Sequence, residues 1–357
     1  MSLLEKTIAA IEPVDQKSRE LATERIGQLT MPYWALGRLL DLAVDLAGMT
    51  RTIQPTVARK AVVTMAADHG VVEEGVSHSP KEVTIQMVYN FVAGGAGINV
   101  LAKQAGAEVI VVDVGVDGDL SPLVKAGKIV DKKIALGTAN FSKGPAMTLE
   151  QARRSIEVGI EVANELGSRI DLFGTGEMGI ANTTPSSAII ATLTGESLDA
   201  LVGCGCGINE EQRLHKVKVI EQGLALNQPD PNDGLDILAK VGGLEIGAIA
   251  GLILGAAAQK KPVLVDGFIS TAGALIAQSL APLATEYMLA SHRSVEPGHQ
   301  AMQAKLGKEP LLDLNLRLGE GTGAAVAMNL LEAGAALINE MATFEEAAVT
   351  NYIENGA

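Results

Sequence analysis

Hydrophobic residues along the chain follow two patterns, short continuous runs and longer stretches with helical spacing. Six short runs end in glycine or in a polar cluster, at residues 61–67, 109–114, 170–173, 200–202, 263–265 and 287–290. Such runs, alternating with helical stretches, are typical of parallel strands that helices cover on both faces. The pattern predicts an α/β fold with an open, mainly parallel, six-stranded Rossmann-like sheet and flanking helices. The carboxyl ends of its strands would share one edge, where ligands bind in such sheets.

Both ends of the chain have helical patterns. Residues 1–50 read as helices, with apolar spacings of three and four from Leu36 to Leu46, and residues 323–341 form an alanine-rich helical stretch. We expect 1–50 and 325–357 to form a small helical domain beside an α/β catalytic domain of residues 51–324. The most apolar stretch, 242–258, contains Glu245 and five glycines, which favours a buried helix over a membrane span.

Composition narrows the class of protein. The 357 residues are 47% hydrophobic but only 3% aromatic, so the core must consist mainly of aliphatic side chains. The net charge of −14 argues against a nucleic acid partner, because phosphate backbones select basic surfaces. The first residues show no signal peptide, and two cysteines, Cys204 and Cys206, are too few for a disulfide framework. We therefore expect a cytoplasmic protein with no membrane partner.

The segment Gly174-Thr175-Gly176-Glu177-Met178-Gly179 matches G-x-G-x-x-G after an apolar run. One interpretation is the turn of an NAD-dependent oxidoreductase, but that turn needs a helix to open directly, and here we expect the helix to start at Pro185. A second is a phosphate-binding turn that places Glu177 near a sugar or base. A third is a sharp turn whose glycines supply positive φ angles. The third interpretation does not explain Glu177.

Glu320 is the sharpest single signal in the sequence. It lies between Gly319 and Gly321, ahead of a helix of small residues. A buried carboxylate without a partner is costly, and partial burial raises its pKa toward that of a general base. The alternative is that Glu320 caps the following helix, although Thr322 could already fill that position.

Other polar clusters follow the remaining runs. Gly203-Cys204-Gly205-Cys206-Gly207 offers backbone donors for a phosphate, and Lys216 follows on the next helix. Ser291 and His292 are adjacent in sequence but lack a nucleophile elbow, so Ser–His chemistry is not supported. The five histidines show no metal-binding spacing. A non-catalytic protein that binds nucleotides or azoles remains an alternative, against which the presence of both Glu177 and Glu320 weighs.

Taken together, these segments resemble the nicotinate-nucleotide–dimethylbenzimidazole phosphoribosyltransferase (CobT) family of cobalamin synthesis. The matching segments run in order along almost the whole chain: 67–71, 79–87, 94–99, 174–184, 265–268, 291–299 and 318–324. The sequence departs from the family pattern at two places. Cys204 and Cys206 stand where the family typically has Arg and Thr, and Tyr33-Trp34-Ala35-Leu36-Gly37-Arg38 replaces Pro-Gly-Ser-Leu-Gly-Arg.

The resemblance implies a reaction. Family members move phosphoribosyl from nicotinate mononucleotide to 5,6-dimethylbenzimidazole, giving α-ribazole 5′-phosphate and nicotinate with inversion at the anomeric carbon. They form homodimers with this α/β fold. Nicotinate leaves from a pyridinium, so its departure neutralises the ring nitrogen and needs neither an acid nor a metal. We therefore expect small-molecule substrates, a homodimer, no cofactor and no metal site.

The resemblance also assigns site residues. It implies Glu320 as the general base for the benzimidazole N–H and Glu177 as a second catalytic carboxylate. It places the acceptor base in a pocket formed by Ser79, Gln86, Met87 and Leu318. The positions expected to hold the nucleotide and its phosphate are Gly176, Gly203, Gly205, Lys216, Ser291, Arg317 and Gly321.

Overall fold

The structure, a computed structural model, describes residues 1–203, 207 and 209–351. The α-helices in these residues are α1 Leu3–Ala9, α2 Gln16–Gly27, α3 Arg38–Thr50, α4 Val83–Ala93, α5 Gly97–Gln104, α6 Ser121–Lys125, α7 Leu149–Leu166, α8 Thr183–Thr194, α9 Leu198–Leu201, α10 Glu210–Asn227, α11 Gly234–Val241, α12 Leu244–Ala258, α13 Phe268–Leu280, α14 Pro297–Leu306 and α15 Thr322–Glu340. Two short 3₁₀ helices cover Gly70–Glu74 and Pro282–Tyr287.

The strands of the same residues form one large and one small sheet. They are β1 Lys60–Ala67, β2 Ala107–Gly115, β3 Val130–Asp131, β4 Leu172–Met178, β5 Val263–Val265, β6 Met288–Ala290, β7 His292–Ser294 and β8 Leu312–Leu316. The large sheet has six parallel strands in the order β3-β2-β1-β4-β5-β6, and β7 and β8 form a two-stranded parallel sheet. This order is that of a doubly wound Rossmann-type sheet, so the predicted fold class is confirmed.

One of the six predicted strands was wrong. Residues 200–202 do not join the sheet, because Leu198 and Leu201 turn inward on the single helical turn of α9. The sixth strand of the sheet is β3, which was not predicted because its two residues are too few to give a hydrophobic run. The helix after β4 was predicted to start at Pro185. That start was also wrong, because this helix, α8, begins two residues earlier, at Thr183.

The centre of the fold is built from small and aliphatic side chains. All eight residues of β1 are buried, as expected for a central strand covered on both faces. Helix α12 is buried along almost its whole length and crosses α7 closely. Gly251 permits this crossing, because a side chain there would run into the Ile156 carbonyl. The apolar stretch 242–258 is therefore a core helix, as predicted.

A second, smaller core lies outside the main one and draws on both ends of the chain. It contains Ile26 of α2, Leu40 and Ala43 of α3, and Ile338 of α15. The backbone joins the two ends as well, since Leu29 bridges to Thr343. These contacts agree with a helical unit made from both termini, although its division from residues 51–324 as a domain stays a prediction.

One stretch of the described residues, Val83–Gln104, is long and apolar enough to cross a membrane by length and composition alone. In the structure it is two helices, because Gly94 takes a left-handed conformation and ends α4 before α5 begins at Gly97. Such a break leaves no continuous span of about 20 helical residues.

Candidate active site

The candidate site lies at the carboxyl edge of the large sheet, between β1 and β4. Chain order reverses there, because β1 pairs with β2 on one side and with β4 on the other. Crevices at such switch points are the usual ligand sites of open α/β sheets. Asp68 and His69 follow β1 at this edge, and Glu177 lies near the end of β4.

Glu177 is buried at the floor of the site. Asn182 donates its side-chain N–H to Glu177 Oε2, and the backbone N–H of Glu320 donates to Oε1 over 3.4 Å. The pKa of Glu177 is raised to about 8, chiefly by burial and also by the charges of Glu245 and Asp266, while these two hydrogen bonds oppose the rise. Glu177 is therefore mostly a neutral acid at pH 7 in the free protein.

Glu320 sits in a turn of three consecutive left-handed residues. The φ angles are 86° at Gly319, 63° at Glu320 and 93° at Gly321. A positive φ is uncommon for glutamate and persists where surrounding contacts hold it. Thr322 donates its hydroxyl to the Gly319 carbonyl at 2.8 Å, and Thr64 of β1 donates to the Glu320 carbonyl at 3.3 Å.

The Glu320 carboxylate projects from this turn toward α5. The N–H of Ile98, in the first turn of α5, donates to Glu320 Oε2 at 3.0 Å, while among the described residues Oε1 receives no donor. Burial raises the pKa of Glu320 above its ordinary value, and the nearby Asp266 charge adds to that. The N-cap of α15 is Gly321, so Glu320 does not cap its own helix, and neither does Thr322.

A cavity of about 350 Å³ opens in front of the two glutamates. Seven of the residues predicted for the site line it: Glu177, Glu320, Ser79, Met87, Leu318, Lys216 and Arg317. Much of its wall is apolar, and Met178 and Phe268 line it together with Met87 and Leu318. Lys216 is buried and donates to the Thr183 hydroxyl at 2.6 Å.

Five of the other predicted site residues lie behind or beside the cavity wall. Gln86 is exposed, and Gly203 packs against Glu296 and Pro297. Ser291 is fully buried and donates to the Asp266 carbonyl at 3.2 Å. Gly176 lies against the Glu320 carbonyl, and Gly321 is part of the Glu320 turn, where its N–H donates to Asp266. Gly205, like Cys204 and Cys206, lies outside the described residues.

The glycines at 174–179 do not form a turn with positive φ angles, and a phosphate contact from this segment stays a prediction. Gly174 and Gly176 are inside β4, and neither they nor Gly179 has a positive φ. They allow close packing instead, since a Cβ on Gly176 would stand 2.5 Å from the Glu320 carbonyl oxygen. Both the dinucleotide interpretation and the positive-φ interpretation of this segment were therefore wrong. The close approach of β4 to the Glu320 turn could not be predicted from the sequence.

Three polar groups near the site were not singled out by the sequence. Asp266, directly after β5, accepts hydrogen bonds from Gly321 and Ala324. His69 and Glu245 form a buried pair with Nε2 and Oε1 2.7 Å apart. A polar residue immediately after a buried strand was the available signal for Asp266 and His69. In the part of the chain described, no three His, Cys, Asp or Glu side chains are grouped to hold a metal ion.

The fold and this site together define the class of protein. A sequence model of the family described as phosphoribosyltransferase matches residues 11–349. The chain is 62% identical to a nicotinate-nucleotide–dimethylbenzimidazole phosphoribosyltransferase from Syntrophotalea carbinolica over 350 residues, covering 98% of this chain and 99% of the relative. A relative of the same name from Desulfotalea psychrophila is 56% identical over 351 residues, with coverages of 98% and 99%.

A solved structure of a protein with the same name has the same fold. The crystal structure of the corresponding phosphoribosyltransferase from Thermus thermophilus superposes with a TM-score of 0.88 at 44% identity, covering 94% of this chain and 99% of that one. The chain therefore belongs to the nicotinate-nucleotide–dimethylbenzimidazole phosphoribosyltransferase family, and the resemblance seen in its sequence is confirmed.

Proposed function

We propose that the chain transfers phosphoribosyl from nicotinate mononucleotide to 5,6-dimethylbenzimidazole, giving α-ribazole 5′-phosphate and nicotinate, with Glu320 as the general base. The single observation that carries the base assignment is the position of Glu320. Its carboxylate lines an apolar cavity, with Oε2 held by the Ile98 N–H and Oε1 receiving no donor among the described residues.

The chemistry requires one base. One benzimidazole nitrogen attacks the anomeric carbon, and the bond to the pyridinium nitrogen of nicotinate breaks with its electron pair staying on that nitrogen. The other benzimidazole nitrogen must lose its proton, because otherwise the product would be a cationic azolium. Glu320 Oε1 takes this proton, and the held Oε2 keeps the carboxylate from rotating away.

Other cavity residues suit the rest of the substrates. Met87 and Leu318 supply apolar wall that fits the flat acceptor ring, and Ser79 adds a polar group to the same cavity. Lys216 and Arg317 bring positive charge to the same cavity and fit the 5′-phosphate. Both charges act on Glu296, which also lines the cavity. Burial raises the pKa of Glu296, and the charges of Lys216 and Arg317 oppose that rise.

Glu177 is proposed as the second carboxylate of the reaction. Its Oε1 accepts the N–H of Glu320 itself, so the two acids are joined through one backbone group. Because burial keeps Glu177 neutral up to about pH 8, it does not act as a permanent counter-charge. We propose that it ionises when the pyridinium of the substrate enters, and that it then stabilises positive charge developing on the ribose.

The direct test is incubation of the protein with nicotinate mononucleotide and 5,6-dimethylbenzimidazole. We expect stoichiometric release of nicotinate and formation of the α-ribotide, separated by chromatography and identified by mass and by NMR of the anomeric proton. Hydrolysis of the nucleotide without the acceptor is the control. Release that does not depend on acceptor, or a product with retained configuration, would contradict the proposal.

We further propose that the enzyme is a cytoplasmic homodimer. Support comes from large apolar side chains that the described chain leaves exposed, including Tyr89 on α4, Val100 on α5 and Leu314 on β8. Light scattering should give twice the mass of 37.0 kDa. A monomer at micromolar concentration, or recovery in the membrane fraction of cells, would contradict this part of the proposal.

A further inference from the structure

Helix α15 begins at Thr322, directly after the Gly319–Gly321 turn. Its N-cap residue is Gly321, which has no side chain that could cap the helix. The first backbone N–H groups of a helix have no partner within the helix and need one from elsewhere. The start of α15 is buried, so water cannot easily serve.

Asp266 supplies the missing cap from another part of the chain. Its Oδ2 accepts the N–H of Gly321 at 3.2 Å, and its Oδ1 accepts the N–H of Ala324 at 2.9 Å. A carboxylate at a helix N-terminus is favoured by both the hydrogen bonds and the helix dipole. These two bonds therefore fix where α15 starts.

Asp266 is itself held in place by neighbouring strands. Its N–H donates to the Thr175 hydroxyl of β4 at 3.0 Å, and its carbonyl accepts the Ser291 hydroxyl at 3.2 Å. His292 approaches from the other side, with Nε2 at 3.6 Å from Oδ1. The carboxylate is 2% exposed, so it is anchored between β4, β5 and β7 and has little freedom to move.

The consequence reaches Glu320 through the backbone. The N–H of Gly321 belongs to the peptide bond that follows Glu320, and Asp266 holds it. The N–H of Glu320 belongs to the preceding peptide bond, and Glu177 holds that one. Both peptide planes around a left-handed glutamate are thus held by buried carboxyl groups, and together they set the direction of its side chain.

We propose that Asp266 is a positioning residue that acts on the reaction through Glu320, by holding the Gly319–Gly321 turn in its left-handed conformation. This inference rests on the proposed role of Glu320 as the base. Asp266 also lines the cavity, so the inference must separate an effect through Glu320 from direct contact with the substrate. A base displaced by about 1 Å can lose roughly 10²-fold in rate, so an effect through Glu320 should be large.

The test is a double-mutant cycle of Asp266→Asn and Glu320→Gln. The amide oxygen can accept only one of the two N–H groups, so the turn should shift. We expect Asp266→Asn to lower kcat by about 10²-fold, with KM for nicotinate mononucleotide changed less than about threefold. In the Glu320→Gln background, the second substitution should then cause no further loss, because the group it positions is already gone.

Asp113→Asn is the matched control. Asp113 is also a buried carboxylate near the end of a strand, accepts the Val116 N–H at 2.9 Å, and lies away from the cavity. Its substitution should leave kcat near the wild-type value. Asp266→Ser, whose smaller side chain leaves room for a water, is measured in the same cycle in case Asp266→Asn does not fold.

Three outcomes would overturn the inference. The first is near-normal kcat in Asp266→Asn while Glu320→Gln is impaired. The second is additive losses in the double variant, which would mean that Asp266 acts on the substrate directly. The third is unfolding of both Asp266 variants while Asp113→Asn folds, which would make Asp266 a stability residue. Near-normal turnover in Glu320→Gln, by contrast, would defeat the base assignment of the proposed function.

Discussion

At the scale of single residues, Glu320 combines a left-handed backbone with a carboxylate that is 6% exposed. Each feature costs free energy, and neither is needed to start a helix, since Gly321 occupies the N-cap. Strain and burial at one glutamate are typical of a catalytic group. From this left-handed turn the carboxylate reaches the first turn of α5 and the cavity.

Glu320→Gln should lower kcat by about 10²- to 10⁴-fold, the usual contribution of a general base. Binding of nicotinate mononucleotide should change little, because glutamine keeps the size of the side chain and can still accept the Ile98 N–H. Steady-state kinetics and calorimetric titration measure the two quantities. Glu340→Gln, at the exposed far end of α15, is the control. Turnover within a fewfold of wild type would refute the role.

The pH profile gives a separate prediction for the same residue. Because burial raises the pKa of Glu320 above its ordinary value of 4.5, the base should lose activity as pH falls through a pKa higher than that. The acid limb of kcat/KM should therefore lie above pH 4.5 and be absent from the residual activity of Glu320→Gln. An acid limb that persists unchanged in the variant would assign the titration to another group.

Glu177 should make stability depend on pH. Its pKa is raised to about 8 when folded, from 4.5, so its burial favours the fold below pH 4.5, and that contribution is lost as pH rises through about 8. Glu177→Gln should remove this dependence, leaving a smaller fall in unfolding free energy between pH 5.5 and 9. Urea titrations at several pH values measure it, with exposed Glu196→Gln as the control. Parallel curves for wild type and Glu177→Gln would contradict the raised pKa.

At the scale of secondary structure elements, the Gly319–Gly321 turn depends on β4 approaching α15 closely. Gly176 makes this possible, since its missing side chain leaves room for the Glu320 carbonyl. Two residues earlier in β4, Gly174 leaves room for the side chains of Ala324 and Met328. The glycines of β4 therefore let the strand approach the Glu320 turn and the start of α15 closely.

Gly176→Ala should displace the turn and lower both activity and stability. The added methyl would stand 2.5 Å from the Glu320 carbonyl oxygen and 2.9 Å from the Thr64 hydroxyl. Overpacking of this kind costs about 1–3 kcal/mol, measurable by denaturant unfolding, and kcat should fall as well. Gly27→Ala, at the end of α2, is the control because a methyl there meets nothing within 4 Å. Unchanged kcat in Gly176→Ala would separate this contact from catalysis.

At the scale of the whole molecule, both chain termini pack into one small core while α15 also enters the main core. Ile338 belongs to the small core, and Met328 and Leu331, earlier on the same helix, belong to the main one. Glu320 comes just before the first turn of α15. This helix therefore connects the packing of the terminal helices to the Gly319–Gly321 turn. This linkage motivates a test of the predicted domain division.

Ile338→Ala should loosen the terminal helices before the rest of the fold. Removing a buried side chain of this size costs about 2–5 kcal/mol. If residues 1–50 and 325–357 form a domain, limited proteolysis followed by mass spectrometry should find the first new cuts among α1 to α3. Leu226→Ala, at a position 56% exposed, is the control. New cuts spread evenly over the chain would contradict the division.

Much of the architecture was predictable because it depends on local patterns. Buried strands such as β1, β2 and β5 appear as continuous apolar runs, and α12, apolar except for Glu245, appears as a core helix. The pattern failed where the local signal was ambiguous. A three-residue run at 200–202 suits a strand or one helical turn equally, and the two residues of β3 give no run at all.

The sequence by itself determined the α/β class, the family, and the identity of Glu320 and Glu177 as the unusual carboxylates. These follow from periodicity, from an ordered set of motifs, and from charges placed among glycines, all of which are local properties of the chain. The tertiary structure alone decided that Gly176 makes room for Glu320, that Ile98 orients its carboxylate, and that Asp266 caps α15. Each of these contacts joins segments far apart in sequence, and their geometry depends on how strands and helices pack, which no local pattern records.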